Sequence, residues 1–186
     1  MLDASRSTVT FLLEATAHDV HGRFALRSGE IVFDPQTGLA KGRIVIDATS
    51  GSTGNDGRDR KMHEDVLQSA TYPEIVFVPE TLTGAPPAPG EKAAVTLAGK
   101  IEIHGATHPL EVPADVEARA DGITVHATFR VPYVKWGLDD PSVFIFRVEK
   151  YVDVTLELEG VITTPVTSPW PRSFMKPRLD SPHRPC

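Results

Sequence analysis

The sequence predicts an all-β fold, an eight-stranded antiparallel barrel with one short helix near residues 56–68. Three observations carry that reading. Apolar and polar residues alternate with a period of two through most of the chain, so that each segment turns one face inward. The 14 glycines and 16 prolines make up about 16% of 186 residues, which is a turn-rich composition. The alternating segments also follow one another with hairpin-like spacing, eight or more in succession. That suits a closed up-and-down barrel, with a two-sheet sandwich as the alternative.

Val9, Phe11 and Leu13 share one parity. Val20, Gly22, Phe24 and Leu26 share another, opposed by Asp19, His21, Arg23, Ala25 and Arg27, and Ile31 and Phe33 continue the alternating pattern. Asp34-Pro35-Gln36-Thr37-Gly38 reads as a turn, after which Ile44, Ile46 and Ala48 oppose Arg43, Val45 and Asp47. Over Thr53–Leu67 the alternation stops. Asp56 can cap a helix there, with Asp59 as a weaker acidic partner. Met62 and Val66 share one helical face, and Arg60/Glu64 and Lys61/Asp65 are opposite charges at the same spacing. The helix should end before Tyr72-Pro73.

Strand patterning resumes at Ile75 and Phe77 and breaks at the Pro/Gly-rich loop Gly84–Gly90. Val95, Leu97, Gly99, Ile101 and Ile103 form the next strand, and Leu110, Val112, Ala114 and Val116 the one after it. Ile123 through Tyr133 follows the Asp121-Gly122 turn. Phe144, Phe146 and Val148, then Val152, Val154, Leu156 and Leu158, close the body. The division expected is a barrel domain over 1–163 and a Pro-rich, basic, disordered tail over 164–186.

Charge narrows the function classes. The net charge is −6, yet Arg172, Lys176, Arg178 and Arg184 against Asp180 give the tail +3, leaving −9 on the body. An acidic body argues against nucleic acid as a partner, since phosphate binding needs a basic face. The single cysteine, Cys186, allows no intrachain disulfide and no multi-cysteine metal site. No stretch is apolar enough for a membrane span, and no signal-peptide pattern opens the chain, so a cytoplasmic location is expected.

The candidates for chemistry are few. His18 and His21 differ in parity and would point to opposite faces of one strand, and His104 and His108 straddle Gly105. A zinc site is therefore the weaker reading, and no metal or cofactor is expected. Asp59 and His63 lie one helical turn apart, as an acid–base pair would, but no Gly-x-Ser-x-Gly nucleophile elbow accompanies them. A salt-bridged helix at the barrel rim is the better account. Arg58 could meet a polar or phosphorylated head group or pair with a neighbouring acid. Trp136 could line the mouth or plug it. Gly22, Ala48, Gly99, Ala114 and Ala127 read as small inward residues that leave lumen space.

Three segments carry a family resemblance. One runs from Asp47-Ala48-Thr49-Ser50 through Arg58-Asp59-Arg60-Lys61-Met62-His63 to Tyr72-Pro73-Glu74-Ile75-Val76-Phe77. The second is Leu97-Ala98-Gly99-Lys100-Ile101-Glu102-Ile103-His104-Gly105-Ala106-Thr107-His108-Pro109, and the third is His18-Asp19-Val20-His21-Gly22-Arg23-Phe24. Together they resemble the YceI-like family over roughly Ser7 to Gly160. The resemblance implies a lipocalin-like barrel of bacterial type that holds a long isoprenoid or fatty amphiphile and performs no catalysis, although many members carry an export signal.

The function expected is thus non-catalytic binding of an isoprenoid, isoprenoid quinone or fatty-acid derivative in the lumen. A buried chain gains about 0.8 kcal/mol per methylene, roughly 8 kcal/mol for ten, before ordering and association costs. The lumen and mouth residues expected to touch it are Phe11, Phe24, Ile46, Arg58, Met62, Phe77, Leu97, Phe129, Trp136, Phe144 and Phe146. A His/Asp enzyme or metal protein and a packed barrel serving as a protein-interaction module are the alternatives. The sequence leaves room for a homodimer.

Overall fold

Strand alternation of this kind has to bury one face of every segment, and the computed structural model shows how it does so. The structure describes residues 1–16, 18–142 and 147–161. In order, the elements are β1 (Thr8–Leu13), β2 (Val20–Phe33), β3 (Ala40–Ser52), α1 (Asp56–Lys61) continued by a π-helical segment (Met62–Val66), β4 (Glu74–Thr83), β5 (Lys92–Ile103), β6 (Ala106–Ala118), β7 (Ile123–Val131) and β8 (Val152–Gly160). Each strand pairs antiparallel with the next, and β1 also pairs with β8 from Thr8↔Glu157 to Leu12↔Asp153, so the sheet closes on itself. Closure leaves no edge strand to template association.

The fold class read from the sequence is the one found, with differences at element ends. The expected strand through Tyr133 stops at Val131, because Pro132 has no N–H for the ladder and the chain turns, with Tyr133 N donating to Val131 O. The helical excursion ends at Val66, short of residue 68. Its cap is Asn55, whose side chain accepts from Arg58 N at 3.0 Å, where Asp56 had been expected. Neither Arg60/Glu64 nor Lys61/Asp65 forms an ion pair, since the wider π-helical turn carries Glu64 and Asp65 off the i, i+4 line. Of the strand expected around Val148, Phe144 and Phe146 lie outside the described residues, and Val148 makes an isolated bridge to Ala15. The tail expected over 164–186 also lies outside them.

Inside the barrel, Leu26, Ile44, Phe77, Leu110, Val112, Ala127, Leu156 and Leu158 are buried in one cluster. Two of the glycines read as lumen space prove to be occupied positions. The tip of the Phe11 ring covers Gly22, its cross-strand partner. A Cβ on Gly99 would overlap Val78 O and stand 2.8 Å from Pro79 Cα, because β4 bulges toward β5 there. Gly99 is thus a point of close backbone approach.

Two local devices shape one end of the barrel. His104 (φ 52°) and Gly105 (φ 72°) form the two-residue β5–β6 turn, left-handed at both positions, and Tyr72 packs against His104 with ring centroids 4.8 Å apart. On β3 the register with β2 jumps from Ala25↔Asp47 to Arg23↔Ser52. Asp47 Oδ1 accepts from Thr49 N and Oγ1, and Ser50 Oγ accepts from Ala25 N at 2.7 Å while donating to Asp47 O, so side chains replace the lost ladder bonds. The bend carries the chain over the barrel mouth and into α1.

Gly99→Ala should therefore destabilise the barrel by about 1–3 kcal/mol, as overpacking against fixed backbone does. Urea melts followed by circular dichroism measure this. A stability equal to that of the parent would restore the reading of Gly99 as lumen space.

Candidate functional site

Four connections meet at one end of the barrel: β1–β2, the helical excursion, β5–β6 and β7–β8. Side chains at the adjoining strand ends enclose a cavity of about 430 Å³. Its walls are Phe11 and Leu13 on β1, Phe24 on β2, Ile46 on β3, Ile75 on β4, Ile101 and Ile103 on β5, Phe129 and Val131 on β7, and Val152 and Val154 on β8. Met62, Val66 and Leu67 supply the helical wall, and Tyr133, Leu138 and Pro141 the wall from the β7–β8 connection. The lining is apolar apart from Thr10, Thr53, Arg58, Lys61 and the Tyr133 hydroxyl.

The polar groups at the rim are fixed by a chain of hydrogen bonds. Asp59 accepts from Thr53 N at 2.8 Å, from Thr53 Oγ1 at 2.5 Å and from Ser52 Oγ at 3.2 Å. These donors, Thr53 foremost, hold its carboxyl below the usual value of 3.8. Thr53 Oγ1 in turn accepts from Arg58 Nε at 3.2 Å, and Thr53 O accepts from Arg58 Nη2 at 3.4 Å. Lys61 Nζ donates to Pro141 O at 3.2 Å, tying the helix to the β7–β8 connection across the mouth. Tyr133 donates to Glu149 O at 2.8 Å, and burial, with Asp140 and Glu149 nearby, pushes its pKa up to about 12. It remains a protonated donor.

His63 is anchored on both nitrogens, Nε2 at 2.9 Å from Gly51 O and Nδ1 at 2.9 Å from Ser69 Oγ. A carbonyl only accepts, so Nε2 carries the proton. His63 and Asp59 share no hydrogen bond. Each holds the helix against β3. His18 and His21 are exposed, and among the described residues no group of three or more His, Cys, Asp or Glu side chains is placed to hold a metal ion.

Of the residues expected at the site, Phe11, Phe24, Ile46, Arg58, Met62 and Phe129 line this cavity. Phe77 is packed in the buried cluster, and Leu97 packs against that cluster; neither is among the lining residues. Trp136 stacks on His108, with centroids 4.6 Å apart and planes at 3°, and is likewise not part of the lining. Phe144 and Phe146 lie outside the described residues. Lys61 was missed, although its place three residues after Arg58 sets both on one helical face. Val152 and Val154 were read as inward but not as cavity walls.

Asp59→Asn should lower stability at neutral pH by about 1–2 kcal/mol, through the loss of charged acceptor bonds at a half-exposed site. Because the folded carboxyl titrates below 3.8, its contribution is complete above that value and disappears as pH falls through the lowered one. Denaturation curves of parent and variant should thus converge toward acid pH. A gap that persists there would assign the effect to packing.

Several solved structures superimpose on this chain. Burkholderia cenocepacia BcnA is 20% identical, with a TM-score of 0.69 over 87% of this chain and 100% of its own. A polyisoprenoid binding domain from Saccharophagus degradans, implicated in plant cell wall breakdown, is 22% identical, with a TM-score of 0.68 over 85% of this chain and 95% of its own. The Campylobacter jejuni YceI protein is 18% identical, with a TM-score of 0.57 over 80% and 88%. At such identities the likeness concerns the fold. No curated protein matched. The YceI-like domain model, however, matches residues 1–160, and the chain belongs to that family.

Proposed function

We propose that this protein binds a long-chain amphiphile, an isoprenoid or fatty derivative, in its barrel cavity, and that it carries or sequesters the molecule without transforming it. The observation that carries the reading is the cavity itself, about 430 Å³ and walled almost wholly by Phe, Ile, Leu and Val side chains. That volume lies within the roughly 300–1,000 Å³ typical of small-molecule sites. The polyisoprenoid binding domain of Saccharophagus degradans shares the barrel, which adds support for a chain of this type.

A binding role also suits the polar groups. Asp59 and His63, the residues closest to an acid–base pair, spend their hydrogen-bonding capacity on Thr53, Ser52, Gly51 and Ser69. An apolar chain needs no such groups, because removing it from water supplies about 0.8 kcal/mol per methylene.

Organic extraction of freshly purified protein, followed by mass spectrometry, should release a long-chain lipid. The stripped protein should bind a fluorescent naphthylamine probe that fatty and isoprenoid compounds displace. Val154→Trp, which adds an indole to the cavity wall, should weaken probe binding on the order of tenfold or more, at about 1–3 kcal/mol of stability. Finding no lipid in the extract and no probe binding by the stripped parent protein would overturn the proposal.

A further inference from the structure

We infer that the ligand carries an anionic head group, a phosphate or a carboxylate, held at the cavity mouth by Arg58 and Lys61. This rests on the reading that the cavity takes an apolar chain and adds the class of molecule attached to it. Among the described residues lining the cavity, these two are the charged ones, and both are cations. They stand three residues apart on α1, so both side chains leave the same face of the helix.

Their hydrogen bonds go to neutral groups rather than to carboxylates. Arg58 donates to Thr53 Oγ1 and Thr53 O, and Lys61 to Pro141 O, all neutral acceptors. Among the described residues neither forms an ion pair, whereas Arg27, Arg43, Lys100 and Arg130 on the strands each meet a carboxylate. Two acids close to the pair are bonded elsewhere. Asp59 is bonded to Thr53 and Ser52. Asp140 feels the charge of Lys61, but its carboxylate accepts from Ser142. In a chain of net charge −6, two bases at one rim with no carboxylate in direct contact among the described residues form a place prepared for an external anion.

The chemistry of the pair fits an oxyanion. The two bonds to Thr53 orient the guanidinium through Nε and Nη2, and its Nη1 edge has no partner among the described residues. A guanidinium edge meets phosphate or carboxylate oxygens in a directed geometry, while an ammonium adds a compact charge with rotatable donors. Lys61 is half-buried, so its field at the mouth is screened less than that of a fully exposed lysine. A chain lying in the cavity would leave its polar end beside these groups.

The test compares dodecyl phosphate, dodecanoate and dodecanol, which share a chain and differ in the head, by titration calorimetry on stripped protein. Both anions should bind on the order of tenfold or more tighter than the alcohol, with the margin shrinking at high salt. In R58Q/K61Q the anions should fall to near parity with dodecanol, and R58K/K61R should restore the preference. Equal affinity of the parent protein for all three ligands, or a preference that survives in R58Q/K61Q, would overturn the head-group assignment while leaving the chain-binding reading in place. Failure of all three to bind would overturn both.

Discussion

Everything in this molecule depends on the pairing of β1 with both β2 and β8. That contact converts an open twisted sheet into a tube, and a tube fixes its own interior. Side chains of one parity on every strand must then share a single enclosed space, and their sizes at each height decide whether it is full. Val9, Leu156, Ala127 and Ala114 lie in register across β1, β8, β7 and β6, and the buried cluster around them fills the middle of the barrel. Beyond that level, toward the helical excursion, the interior opens into the cavity.

Closure alone would leave an apolar hole open to water. The β3 bend and the excursion it launches give that hole a chemically distinct rim. Ser50 and Asp47 satisfy backbone groups that the register jump frees, so the bend costs few unpaired donors. The same bend brings Thr53 within reach of Asp59, and through Thr53 the carboxylate orients Arg58 without pairing with it. His63 pins the following π-helical segment to Gly51. Strand register, helix placement and cation orientation are thus one connected set of bonds, and a change in any of them is felt by the other two.

The parts legible in the sequence were those governed by parity. Alternation sorts residues between the two faces of a strand, and the inward faces of β1, β5 and β8 were read correctly on that ground. On β2 the reading holds through Leu26 but fails at Phe33, which is exposed at the strand end beyond a register shift. Parity does not give height along the barrel. Phe77 and Leu97 share faces with Ile75 and Ile101, yet lie outside the cavity lining while those two line it. A glycine likewise shows only that a side chain is missing. Phe11 occupies the space at Gly22, and backbone occupies it at Gly99, both through partners fixed by tertiary register. The cap was misassigned by one position because Asn55 and Asp56 are both competent, and the backbone's approach to the helix decides between them. Lys61 was hidden by an apparent partner, Asp65, that the π-helical turn removes.

A further constraint connects stability with occupancy. A cavity of about 430 Å³ forgoes the side-chain contacts that would otherwise fill it. Hydrogen-bonded closure lets the barrel tolerate the loss, since the ladder holds at the level of the cavity without side chains meeting across it. Any chain that enters regains part of those contacts, and by linkage its binding free energy adds to folding stability. If the proposed amphiphile occupies the cavity, it fills a deficit in the core, and the loaded barrel is then the more stable form.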